Sequence, residues 1–176
     1  MKKLLLISGL FVGTAFSSSN LAHAQLSLGV TGGIFNQGVS SDGERYSNNL
    51  LGFNLAGKFG LNDNKMRVGL NIGYFFDSED GLTIFTQPIT GLFEYSFSDA
   101  SFSPYAGIDA GIYRMGASSD GGSASESELG FAPVAGFNYE ISDRMDLNVN
   151  IKYMYILTDG NSTTGVNANA GIVIKF

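Results

Sequence analysis

The chain closes on "GVNANAGIVIKF" (165–176), and the spacing within that stretch decides how the rest is read. Val166, Ala168, Ala170, Ile172, Ile174 and Phe176 fall at every second position, the period at which a β-strand turns side chains to one face. A soluble sheet ending in such a strand would offer a bare apolar edge for aggregation. Pairing it with the first strand of the chain removes that edge.

Working back from the end, seven more segments alternate with the same period and are separated by turn residues. In the first strand Leu26, Leu28, Val30, Gly32 and Ile34 share a face. In the second, Leu51, Phe53, Leu55, Gly57 and Phe59 oppose Asn54, Ala56, Lys58 and Gly60. Met66 to Phe76 opposes Arg67, Gly69, Asn71 and Gly73, and the fourth segment runs from about Leu82 to Phe97. There Gln87 shares the parity of Phe93, Tyr95 and Phe97, which predicts a bulge near Pro88. Three further strands are centred on Ile108, Ala135 and Ile151. The connections alternate as well. "NDNK" (62–65), "SDAS" (98–101) and "SDR" (142–144) read as tight turns. The stretches 35–48, 116–128 and 158–165 read as longer loops, and "DSEDG" (77–81) as a solvated turn lacking the acid spacing of a calcium loop.

The other end carries Lys2 and Lys3, an apolar run from Leu4 to Phe16, and Ala22-His23-Ala24. This is the pattern of a cleavable secretory signal peptide over 1–24, since thirteen residues of helix reach only about 20 Å of a ~30 Å bilayer core. The mature domain is then 25–176, with no further module expected beyond the eighth strand. Losing Lys2 and Lys3 moves the formal charge from −6 to −8, which argues against a nucleic-acid partner. Charged residues make up only 15% of the chain, against about 25% in soluble domains. There is no cysteine, so neither a disulfide framework nor a thiolate metal site is available.

Together these readings predict an all-β fold: an eight-stranded antiparallel up-and-down transmembrane barrel with its apolar face to lipid. An even strand count, short turns at one end and longer loops at the other fit that architecture. Phe59, Phe97, Phe102, Tyr139 and Phe176 would mark the periplasmic rim, and Phe76, Phe85, Phe131 and Tyr155 the outer rim. The polar face carries Lys58, Arg67, Lys152 and Lys175 against Glu94, Asp109, Glu140 and Asp146. In so narrow a lumen these eight are expected to neutralise one another, forming a polar plug in the periplasmic half.

With "QPITGLFEYSF" (87–97), "FSPYAGIDAGIYRM" (102–115) and "NANAGIVIKF" (167–176), the chain resembles the small outer-membrane β-barrel domain proteins of Gram-negative bacteria, the outer-membrane-protein-A-like and porin-like group. The resemblance implies the cell outer membrane as location, and outer-membrane lipid and lipopolysaccharide as surroundings. It also implies that the barrel-assembly machinery reads the closing strand through Phe176, Ile174 and Ile172. A monomer is expected.

The only histidine, His23, belongs to the predicted signal peptide. The mature chain therefore lacks the usual general base and histidine metal sites, and neither an enzyme nor a cofactor is expected. Nine acids (Asp42, Glu44, Asp77, Glu79, Asp80, Asp120, Glu126, Glu128 and Asp159) fall at the outward end, with Arg45 and Arg114 near them. The leading expectation is a non-enzymatic structural or surface-interaction barrel. A narrow cation-leaning porin-like channel is the first alternative, and a secreted soluble barrel binding a small apolar ligand the second.

Overall fold

A computed structural model describes residues 25–41, 44–61, 65–158 and 162–176. The signal peptide, turn residues 62–64, Asp42 and Asp159 lie outside the described residues, as do the side chains of Glu44 and Arg45. Eight strands follow in order: β1 (Leu26–Ser41), β2 (Glu44–Leu61), β3 (Met66–Glu79), β4 (Leu82–Ser96), β5 (Phe102–Ser119), β6 (Gly122–Ser142), β7 (Met145–Leu157) and β8 (Ser162–Lys175). Each pairs antiparallel with its neighbours, and β8 returns to β1, so the sheet is a closed barrel. The seam runs from Ser27↔Lys175 to Val39↔Thr163, and Phe176 N–H donates to the Leu26 carbonyl at 2.9 Å. The apolar closing stretch therefore has no free edge.

Parity assigns the faces. Leu28, Val30, Leu55, Leu70, Ile72 and Ile151 point outward, and Leu70 is 68% exposed. Their opposite-parity neighbours Thr31, Asn54, Asn71 and Asn150 are buried in the lumen. An apolar belt of this extent is a lipid-facing surface, since soluble monomers rarely expose more than a few hundred Å² of contiguous apolar area. The soluble-barrel alternative needs the reverse orientation and is overturned by it. Phe97, Phe102, Tyr139 and Phe176 are exposed at the periplasmic rim; at the other rim Phe131 packs on Tyr155, and Tyr74 stacks on Phe85.

Two local expectations are corrected. The β3–β4 register runs without a shift from Met66↔Tyr95 to Glu79↔Leu82, so there is no bulge at Pro88. Gln87 simply faces outward opposite Arg114, and the ladder is interrupted beside Pro88, which has no N–H to donate. The register shift falls instead between Glu140 and Ser142 on β6. The outward "loops" are also largely strand. Gly116↔Ser125 to Ser119↔Gly122 continue the β5–β6 ladder, and Asp80 and Gly81 take positive φ (49° and 78°) at the tip of β3–β4, as a two-residue Asp-Gly hairpin requires.

A closed ladder leaves no edge from which unfolding can begin. The folded protein should therefore resist SDS until boiled and then migrate more slowly. Gel mobility before and after heating checks this, and identical mobilities would contradict it.

Candidate functional site

The lumen is the candidate site, and it is built in levels. At the periplasmic level Lys58 of β2 and Glu94 of β4 meet across β3, where Gly69 leaves the space open. Lys58 Nζ donates to Glu94 Oε1 at 2.6 Å, with both residues at least nine-tenths buried. Arg67, opposite Glu94 in register, places Nη1 3.9 Å from Oε2, an oxygen without a hydrogen bond of its own. Lys58 also lies over the Tyr105 ring, 5.6 Å from its centroid. Nearer the mouth, Lys175 Nζ is 2.8 Å from Asp146 Oδ1. At mid-depth Lys152 Nζ donates to Asp109 Oδ2 at 2.6 Å.

Seven of the eight predicted lumen charges thus form ion pairs. Glu140 does not. It is exposed at the periplasmic mouth and makes none of the ion pairs among the described residues. The reason is local: its strand loses register at Glu140/Ser142, where the lumen has already widened to a mouth cavity of about 180 Å³ that it lines with Arg67, Asp146 and Lys175.

A chain of amides lies in the lumen among these charges, and it went unread in the sequence. Asn148 donates to Asn138 Oδ1 (2.8 Å) and to the Tyr105 hydroxyl (3.0 Å), and accepts from Asn150 (2.7 Å). Asn169 donates to Asn150 (2.9 Å) and to Asn167 (2.6 Å), and accepts from Asn54 at 3.0 Å. This passes over β1, whose inward positions include Gly33. The pattern that betrays it is the pair of dyads "NVN" (148–150) and "NAN" (167–169) at strand period. Such networks rigidify a polar interior, since each amide would be costly unpaired; the buried Asn138 Nδ2 is the one amide nitrogen of this network left without a partner. Tyr105 fits because Gly136 lies opposite, where a Cβ would come within 2.9 Å of the ring.

Above mid-depth the lumen becomes mainly apolar, with Thr86 donating to Gln37 Oε1 at 2.8 Å beside the hydrocarbon. Phe35, Leu50, Phe75, Tyr113, Met154 and Ile156 form one buried cluster, with Met115 and Ala132 between them. Phe35 and Phe75 meet edge to face at 6.0 Å. This outer plug was not foreseen. The inner face is therefore closed twice, by ion pairs below and hydrocarbon above. Two voids between lumen side chains measure about 20 Å³ each, room for one water apiece.

Among the described residues no three carboxylates or histidines gather to hold a metal ion. The outward acids Asp77, Glu79, Asp80, Asp120 and Glu126 are exposed, and Glu128 is half-buried. Arg114 is exposed on the lipid side of the outer rim, donates to Ser125 Oγ at 3.1 Å and lies over Phe85.

A family model described as outer membrane protein beta-barrel domain matches residues 8–176. An uncharacterized protein of Haemophilus influenzae is 25% identical, the match covering all of both chains. Among solved structures, neisserial surface protein A superposes with a TM-score of 0.63 at 17% identity, covering 87% of this chain and 97% of that one. A major outer membrane protein of Thermus thermophilus gives 0.58 at 14% identity, with 87% and 99% covered. The attachment invasion locus protein of Yersinia pestis gives 0.55 at 20% identity, with 86% and 97% covered. At these identities the structural likeness establishes the fold.

Proposed function

Since this chain belongs to the outer membrane protein β-barrel domain family and is a protein of the outer membrane, we propose that it serves there as a non-enzymatic structural and surface-interaction barrel, closed to ions at rest. The observation that carries this reading is the doubly closed lumen. An ion entering it must replace its hydration shell with groups that are already paired to one another, or with hydrocarbon that offers none. What the barrel then presents to its surroundings is its lipid face and its extended outer hairpins. The channel alternative requires a continuous wet path, and the Phe35–Phe75 cluster stands across it. Wild-type protein in planar bilayers should pass no large steady current. A stable open state in most insertions would favour the channel.

The same reading gives the predicted signal peptide and the closing strand their roles in biogenesis. Removal of 1–24 delivers Gln25–Phe176 to the periplasm, and the barrel-assembly machinery engages Phe176, Ile174 and Ile172. Two features of the folded barrel support this: Ile174 and Phe176 remain exposed on its outer face, and β8 is the strand that closes the seam. Deleting Phe176 should lower the amount assembled in the outer membrane several-fold, and Phe176→Tyr much less. Quantifying heat-shifted barrel in outer-membrane fractions measures it. Equal assembly of the deletion and the wild type would remove the role given to the terminal aromatic.

A further inference from the structure

Among the described residues, the lower lumen carries more positive charge than negative. Lys58, Arg67 and Lys175 reach into it against two carboxylates, Glu94 and Asp146. Lys58 holds Glu94 at 2.6 Å and Lys175 holds Asp146 at 2.8 Å, so Arg67 is the cation left over. Its one ion contact, to Glu94 Oε2, is 3.9 Å, too long for a hydrogen bond. Among the described residues its guanidinium donates to nothing else, although it lines the mouth cavity of about 180 Å³.

A second unmet donor lines the same cavity, and the amide chain dictates which way it points. The Ile34 carbonyl can only accept, so Asn167 turns Nδ2 towards it at 3.2 Å and presents Oδ1 to Asn169. Asn169 then donates to Asn150, Asn150 to Asn148, and Asn148 to Asn138 Oδ1. Orientation is thus fixed from one carbonyl of β1 as far as Asn138 on β6, whose Nδ2 must point away from Asn148. That nitrogen is buried without a partner, in a residue 4% exposed that lines the cavity with Arg67. Bonds polarised in one direction strengthen the donor at their end.

We propose that Arg67 and Asn138 form a binding site for a single carboxylate group at the periplasmic mouth. The planar guanidinium fork matches both carboxylate oxygens, and the Asn138 amide adds a further donor. One negative charge brings the three cations and two carboxylates of the lower lumen into balance. Glu140 stands exposed on the same cavity in no ion pair among those described, and it repels a second negative charge. Phosphate is therefore disfavoured. A small free acid and the chain end of a peptide both present the required group.

The test uses the isotope-labelled mature barrel in lipid nanodiscs. The Arg67 Nε–H and Asn138 side-chain resonances should move saturably with sodium acetate, and not with sodium chloride at equal ionic strength. Sodium phosphate should bind several-fold more weakly, and Glu140→Gln should narrow that gap. Asn138→Asp keeps the oxygen that accepts from Asn148 and supplies the missing carboxylate internally. It should abolish acetate binding with the heat shift on gels retained. Arg67→Gln should weaken binding about tenfold or more, the worth of a charge-assisted hydrogen bond. If one variant loses its heat shift, the other decides. Acetylated dialanine separates the two sources: tighter binding than acetate assigns the site to chain ends, and equal or weaker binding to small acids. Its C-terminal amide should not bind in either case. Five results would each overturn the proposal: no saturable shift with acetate, saturation by chloride, phosphate bound more tightly than acetate, the amide bound as well as the acid, or acetate binding undiminished in the folded variants.

Discussion

Glu94→Ala is expected to destabilise the barrel by about 3–5 kcal/mol while leaving it closed to ions. The carboxylate is 4% exposed and serves two cations, Lys58 at 2.6 Å and Arg67 at 3.9 Å. Truncating it strands the buried Lys58 ammonium without its carboxylate, beside the face of Tyr105 and the Arg67 guanidinium. An uncompensated buried charge is the costliest outcome of breaking such a pair, well above the worth of the pair itself. Exposed Lys65–Asp99 provides the internal control, since Asp99→Ala should change stability by less than about 1 kcal/mol. Urea titration of the lipid-embedded protein measures both. A Glu94→Ala midpoint within error of Asp99→Ala would mean that Lys58 finds another partner or leaves the lumen.

That Glu94→Ala alone should not conduct is a consequence of what the sequence leaves unsaid. Strand number, facing and the polar composition of the lower lumen are legible, because apolar and polar residues alternate cleanly there: Leu147-Asn148-Val149-Asn150-Ile151-Lys152 is the plainest example. Towards the outer rim the alternation vanishes. In Leu50-Leu51, Tyr74-Phe75-Phe76 and Tyr155-Ile156-Leu157 both faces are apolar, so the local pattern no longer marks a polar lumen. Parity carried up from the lower strands turns Leu50, Phe75 and Ile156 into the barrel, where they bury one another. Such doublets are the trace an apolar plug leaves in a sequence, once a barrel is suspected. The polar hairpins show the opposite difficulty. Gly, Ser and Asp favour turns, yet 116–125 stays paired because the lower strands fix its register and a twisting ladder continues until its turn. Glu140 was misassigned for a reason no pattern shows: the register shift beside it opens the lumen just where that side chain would have met a cation.

The two closures also predict how mutations combine. Phe75 is fully buried against Phe35, and Phe75→Ala should cost about 3–5 kcal/mol, the range for removing a core phenyl ring. The rest of the cluster, Phe35, Leu50, Tyr113, Met154 and Ile156, still stands across the lumen and gives an ion little in place of water. The single variant should therefore remain as silent in a bilayer as Glu94→Ala. Phe75 pairs with Thr86, eight residues along β4 from Glu94, a separation of about 26 Å at strand rise. Sites so far apart add in stability to within about 0.5 kcal/mol. Conduction does not add, because two barriers in series pass current only when both are lowered. The double variant Glu94→Ala, Phe75→Ala should show the summed loss of stability in urea and a conductance absent from either parent. Current in Phe75→Ala alone would place the whole barrier in the apolar cluster and leave the ion pairs a purely structural part. Current in Glu94→Ala alone would show that the cluster breathes freely enough to let ions pass.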